Sequence, residues 1–281
     1  MNEKHTKPEK AVQIILILIS VLFITVMLIF PLFSVIINAL KKGFSFYLSA
    51  LSTEYVLSAL KVTLLATGIT LLVNTFFGVI ASFTLTKYHF RGKQILTTLI
   101  DIPFSISPVI AGLSYIMLFG SLGIAKPLLD RIGAFLGTDI QIVFALPGVV
   151  LATIFVTFPF VSREIIPVLN QQGSEEEEAA ALMGAGFFTI FRKVTFPHMK
   201  WSMIYGMILC ASRALGEFGA VSALSKTRGQ TFTLPLEIDA LYLSGTADSI
   251  VASFAVSSIL VLISILILIL RNLFEYRAKK G

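Results

Sequence analysis

Long stretches without a charged side chain set the pattern of this chain. Ala11–Leu40, Val62–Thr86, Ile102–Ala125, Ile142–Val161 and Ile250–Leu270 are such runs, and a sixth, Trp201–Ser225, is interrupted only by Arg213 and Glu217. A helix crossing the hydrocarbon core needs about 20 apolar residues, so the pattern predicts six transmembrane helices and an all-α membrane protein. The first run is longer than one span, and Pro31 is expected to kink it or mark the approach to its end. Ile102–Ala125 carries Pro103, Pro108, Gly112 and Gly120. It reads either as a broken helix beside a pathway or as a proline-kinked packing helix. Asp101, at its cytoplasmic end, reads as a cap or membrane-edge residue. Two longer connections remain, Gly120–Gln141 and Lys226–Ser249, and the second is expected to hold a short interfacial helix with loops.

Composition agrees with this pattern. Hydrophobic residues make up 56% of the chain and charged residues 14%, against roughly 25% charged in soluble domains. A net charge of +6 would point to nucleic acid in a soluble protein. Here the basic residues flank the apolar runs and report topology instead. The N-terminus, the second connection, the connection that carries the acidic stretch described next (with Arg163, Arg192, Lys193 and Lys200) and the C-terminus share fourteen Lys and Arg, whereas the alternate connections hold seven. Both termini and the acidic stretch are therefore expected in the cytoplasm. No cleavable leader is expected, since no small-residue cleavage site follows the long first run. The single cysteine, Cys210, excludes an internal disulfide.

One polar insert stands out, Gln172–Pro197, QGSEEEEAAALMGAGFFTIFRKVTFP. Ser174 followed by Glu177 has capping-box spacing and predicts a helix start. Glu175 to Glu178 in the first turn suit the positive end of its dipole. Ala179, Ala180 and Ala181 give that helix a face almost without side chains. Gly184 or Gly186 allows a turn, and Pro197 is expected to close the segment. An acidic helix is repelled by the anionic inner leaflet, so its natural partner is another protein. Deep in an apolar run, Arg213 and Glu217 stand four apart and are expected to pair on one helix face. Buried charges of this kind either fix helix packing or border a pathway. No phosphate-binding loop occurs, and His5, His89 and His198 are scattered, so neither ATP hydrolysis, a metal site nor catalysis is expected of this chain.

The insert resembles the cytoplasmic coupling loop of ABC importer permeases. That pattern falls on Glu178, Ala179, Ala180, Gly184, Val194, Phe196 and Pro197, with Val194 and Phe196 in place of the usual Ile and Leu. Asp101–Leu113, Ile142–Gly173 and Cys210–Leu236 are similar to the permease subunits of bacterial sulfate/thiosulfate importers, and Arg228 to Leu236 to their W-type subunit. Molybdate permeases share the Arg213–Ala220 portion. The resemblance implies a type I importer transmembrane domain in which residues 1–56 form a tail, first helix and external loop. Residues 57–270 would form the permease core with coupling loop 172–197, and 271–281 a cytoplasmic tail. It further implies a cytoplasmic ATPase dimer, a second, paralogous permease subunit and an extracytoplasmic sulfate-binding protein. ATP and magnesium would reside on the ATPase, with no cofactor on this chain. Glu178, Ala179, Ala180, Gly184 and Pro197 would meet the ATPase. A secondary carrier is the competing class, but the single mid-span acid and the absence of an obvious repeat disfavour it.

Overall fold

A computed structural model describes residues 7–278. Within them every regular element is helical. The helices are α1 (Lys7–Ile24), α2 (Phe30–Ala39), α3 (Phe44–Leu51), α4 (Glu54–Lys87), α5 (Lys93–Ser105), α6 (Pro108–Phe119), α7 (Lys126–Leu136) and α8 (Leu146–Thr157). They continue with α9 (Pro159–Gln172), α10 (Glu175–Leu182), α11 (Phe187–Ile190), α12 (Phe196–Leu215), α13 (Gly219–Leu224), α14 (Leu234–Leu243) and α15 (Ala247–Ala278).

Four helical stretches are long and apolar enough to cross a membrane: Val12–Ala39, Glu54–Lys87, Leu146–Gln172 and Ala247–Phe274. The bent pair α5 and α6 makes a fifth if counted as one span. The sixth expected run, Trp201–Ser225, is not a continuous helix. It starts earlier, as α12 at Phe196, stops at Leu215, and resumes as α13 after a break at Gly216–Phe218. A helix of 20 residues and one of 6 thus replace the expected single one.

Prolines shape the long helices in different ways. Pro31 neither ends nor sharply kinks its run. A π turn at Thr25–Ile29 precedes it and α2 follows directly. Proline clashes with the carbonyl four residues back, here Met27, and the wider π turn makes room. The same device recurs before Pro197, where a π turn at Phe191–Thr195 leads straight into α12. Pro197 therefore continues a helix instead of closing the insert. Pro108, by contrast, opens α6 after a break, and the axes of α5 and α6 diverge by 109°. The run is therefore broken and not merely kinked.

The bundle is organised around α4. Thr63, Thr67, Thr70, Asn74, Gly78 and Ser82 recur at helical spacing along one stripe, and all are buried. Small and hydroxylated residues let membrane helices approach closely and bond across. Asn74 Nδ2 donates to Thr157 Oγ1 at 2.8 Å and to the Ile154 carbonyl at 3.3 Å, tying α4 to α8. Thr63 Oγ1 accepts from the Leu234 N–H at 2.8 Å, which fixes the start of α14. Leu234, Leu236 and Glu237 are buried, so the connection expected at the membrane interface is a core element in its N-terminal half. Its helix packs on α4 and α15.

Helices α9 and α12 meet at Gly206. A Cβ there would lie 2.9 Å from Val161 Cα, which is backbone and cannot yield alone. Gly206→Ala is expected to push these helices apart and destabilise the fold by roughly 1–3 kcal/mol, as overpacking does. A lowered melting temperature of the detergent-purified protein checks this, and an unchanged one shows that the contact does not constrain the bundle.

Candidate functional site

The acidic insert folds into an elbow between α9 and α12. Gly173, at φ +71°, turns the chain out of α9, and α10 follows with all four glutamates in its first turn. The capping box does not form, since the Ser174 hydroxyl makes no capping bond to the backbone. It donates to Glu178 Oε1 at 2.5 Å instead. Glu177 is drawn away by other partners. It accepts a bond from Thr195 Oγ1 at 2.6 Å and lies 3.0 Å from Lys87 Nζ. Lys87 also donates to the Gly173 carbonyl at 2.6 Å. The last residue of α4 thus holds the entry to the elbow, and Glu177 links that junction to Thr195 on the return path.

The C-terminal end of α10 is a Schellman cap. Ala185 N–H bonds the Ala180 carbonyl at 3.0 Å and Gly184 N–H bonds that of Ala181 at 2.9 Å. Gly184 sits at φ +85° with nothing within 4 Å of a Cβ position. The turn is therefore at Gly184 and not at Gly186, whose φ is −74°. Ala180 is buried against the protein, while Ala179 and Ala181 face outward. Around Gly184 a set of apolar side chains is exposed: Leu182, Met183, Phe187 and Phe188. Behind them Phe83 of α4 takes Phe187 and Phe191 edge-on, each with ring centroids 5.8 Å apart. The elbow is thereby braced on its inner side and apolar on its outer side. Pro197 is exposed on the first turn of α12, and His198 pairs with Glu176 at 2.9 Å.

Arg213 and Glu217 come together as expected, with Nη1 2.7 Å from Oε2. They do not share a helix face, because α12 ends at Leu215. Glu217 lies in the break, 1% exposed, and its Oε1 accepts the Ala220 N–H at 2.8 Å. One carboxylate thus neutralises Arg213 and satisfies an orphan donor at the start of α13.

Three charged groupings escaped the sequence reading. Glu237 is fully buried and takes two bonds from Arg228 Nε, at 2.9 and 3.1 Å, and one from Nη2 at 2.5 Å. Arg228 also lies 4.6 Å from the centre of the Tyr55 ring. Glu237 holds the Arg228 proton more tightly than usual. The second grouping joins Arg163 Nε to Asp101 Oδ1 at 2.9 Å, so Asp101 is an ion-pair partner and not a cap. Arg163 itself lies within α9. The third is the Lys87 junction. Partners of these kinds lie 9 to 90 residues apart, beyond the reach of local spacing. Besides Arg213 and Glu217, the Thr–Asn stripe on α4 was a legible hint of a polar interior.

Comparison with known proteins places the whole arrangement. Residues 74–280 match the family described as "Binding-protein-dependent transport system inner membrane component". The chain is 41% identical over 263 residues to the sulfate transport system permease protein CysW of Escherichia coli (strain K12), covering 93% of this chain and 87% of that one. It is 42% identical over the same length to the protein of that name in Synechococcus elongatus, covering 93% and 89%. To the sulfate transport system permease protein CysT of Salmonella typhimurium it is 35% identical, over 72% and 71% of the two chains. Its fold matches a chain of a bacterial alginate ABC transporter solved with an alginate pentasaccharide-bound periplasmic protein, with a TM-score of 0.78, 18% identity and 96% coverage of both. The chain therefore belongs to the binding-protein-dependent transport system inner membrane components and, within them, to the sulfate transport system permeases.

Proposed function

We propose that this chain is one permease subunit of an ATP-driven importer that moves sulfate or thiosulfate by alternating access. The observation that carries the substrate is identity of 41–42% to sulfate permeases over 93% of the chain. What supports the coupling is the elbow, a small, apolar, rigidly braced projection joined at both ends to membrane helices. In this reading α12 with α13 is the sixth span, and both termini and residues 172–197 are cytoplasmic, as the Lys/Arg bias favours. Residues 57–270 form the permease core. Partners are a cytoplasmic ATPase dimer carrying ATP and magnesium, a paralogous permease subunit and an extracytoplasmic sulfate-binding protein.

Force enters where the ATPase grips the elbow. Gly184 lets the chain reverse under Leu182, Met183, Phe187 and Phe188, which seat in the ATPase groove together with Ala179 and Ala181. Glu178 fixes the entry to α10 through Ser174, and Ala180 is its inner packing contact. Pro197 carries the movement into α12 without a flexible joint. Closure of the ATPase dimer then rocks α4, α9 and α12 together, opening the cavity outward. Nucleotide hydrolysis and opening reverse the motion and release the anion inward.

Gly184→Asp is expected to leave the protein in the membrane at normal level while abolishing both sulfate uptake and coupled ATP hydrolysis. Normal uptake of labelled sulfate by this variant contradicts the coupling role. Lys87→Met removes a cation from Glu177 and a donor from Gly173. Each bond to a charged group contributes about 1.5–3 kcal/mol, so stimulated ATP hydrolysis is expected to fall about tenfold or more. Lys87→Arg is expected to recover most of it, and an unaffected Lys87→Met rules out the clamp.

A further inference from the structure

Among the described residues three arginines make ion pairs with buried or half-buried acids, and the exposure of the acid separates them. Glu237 and Glu217 are 0% and 1% exposed, sealed behind their arginines. The Asp101–Arg163 pair is open on both partners, at 39% and 55%. Arg163 lies nine residues before the end of α9, and Asp101 eight residues after the start of α5. Each flanks an uncharged run, Asp101 just before Ile102–Ala125 and Arg163 just after Ile142–Val161, which puts the pair at the inner edge of the apolar core. Charges at that edge are held away from the hydrocarbon. The open side of this pair therefore faces water or another protein subunit. Around it is a groove of about 290 Å³ lined by Thr97, Ile100, Ile166 and Pro167.

The location is at a weak point of the bundle. Pro103 lies two residues beyond Asp101, ahead of the 109° break, and Pro159 and Pro167 flank Arg163 four residues to either side. Beyond the break, Gly219 packs on Pro108, two residues from Glu217. Arg163, through Asp101, and Arg213, through Glu217, therefore border the same broken span from either side. Gly206 meets Val161, which sets the two helices in register. From that level Arg213 is seven residues outward and Arg163 two residues inward, a separation of about 13 Å along the bundle. The guanidinium of Arg163 is stacked 4.7 Å from the Phe104 ring centre, and Phe104 meets Phe160 edge-on at 5.2 Å.

We propose that Arg163 is an anion-contacting gate residue at the inner end of the passage, and that Asp101 is its resident counter-ion. A doubly charged tetrahedral oxyanion would take over the bonds that Asp101 makes, and α5 would part from α9 as that pair opens. Asp101 would then recapture Arg163 once the anion leaves, closing the passage. The proposal rests on the sulfate-importer reading for its substrate, but its geometry asks only that the pair face water.

The test uses the assembled transporter in inverted and right-side-out vesicles. Cys210 is the only native cysteine and is buried, so Arg163→Cys introduces a single exposed thiol into this subunit, with the partner subunits made cysteine-free. Labelling by a charged, membrane-impermeant thiol reagent is expected from the inner side, slowed by sulfate; no labelling from either side overturns the proposal, whatever the substrate. In the native-cysteine background, Arg163→Gln is expected to raise the KM for sulfate at least tenfold while complex assembly and basal ATP hydrolysis persist. Asp101→Asn, which frees the arginine from its competitor, is expected to lower the KM for sulfate and to leak sulfate down its gradient without ATP. The swapped pair Asp101→Arg with Arg163→Asp separates packing from anion contact, since full recovery of sulfate KM by the swap shows a purely structural pair and overturns the proposal. Should Arg163→Cys label normally while no variant transports sulfate or thiosulfate, including wild type, the substrate reading fails and the water-facing gate stands.

Discussion

Lys87 sets the mechanical character of this fold. It is the last residue of the longest helix, and its ammonium holds the carbonyl of Gly173 and the carboxylate of Glu177. Both side chains of that ion pair are largely shielded, at 10% and 15% exposure. Thr195, on the return path into α12, completes the junction by donating to the same carboxylate. One cation thus joins the exit from α9, the first turn of α10 and the π turn before α12. Without it the elbow would keep the Phe83 contacts with Phe187 and Phe191 but lose its polar tie to α4. With it, a displacement at Gly184 reaches three long helices at once.

The same economy explains where the chain bends and where it does not. Prolines 31 and 197 are absorbed by π turns, so the first helix and the return path into α12 stay continuous. Pro108 is not absorbed, because Ile106 and Ser107 are already extended before it, and the helix breaks. Stiffness lies along the path from the elbow, and weakness lies at the α5–α6 junction and at Gly216–Phe218. A device that converts a push into a change of opening needs both, arranged in that order.

Legibility in the sequence followed the range of each interaction. Runs of apolar residues predicted nearly every long helix, and the polarity of Gln172 to Pro197 marked the elbow, within which the resemblance to permease coupling loops singled out Glu178 to Pro197. Arg213 and Glu217 were close enough in sequence to be paired, although the helix was not seen to end between them. Two glycines and a phenylalanine at 216, 218 and 219 were the signal for that break, outweighed by the apolarity on either side. The clamp on Lys87 was invisible, because nothing near it in sequence shows that it meets residues 86 and 90 positions later. The capping box was misread for the same reason: Thr195 and Lys87, both remote, outcompeted the local backbone for Glu177.

Charge compensation also bears on what a passage for sulfate has to achieve. A bare arginine in a low-dielectric cleft would bind a dianion tightly, and conduction needs binding weak enough for release. Pairing each arginine with its own carboxylate lowers that affinity before the anion arrives. Burying the carboxylate, as with Glu217, makes the compensation permanent and gives packing. Leaving it open, as with Asp101, makes it exchangeable. Under the proposed mechanism the difference in exposure between these two acids divides a structural charge pair from a working one.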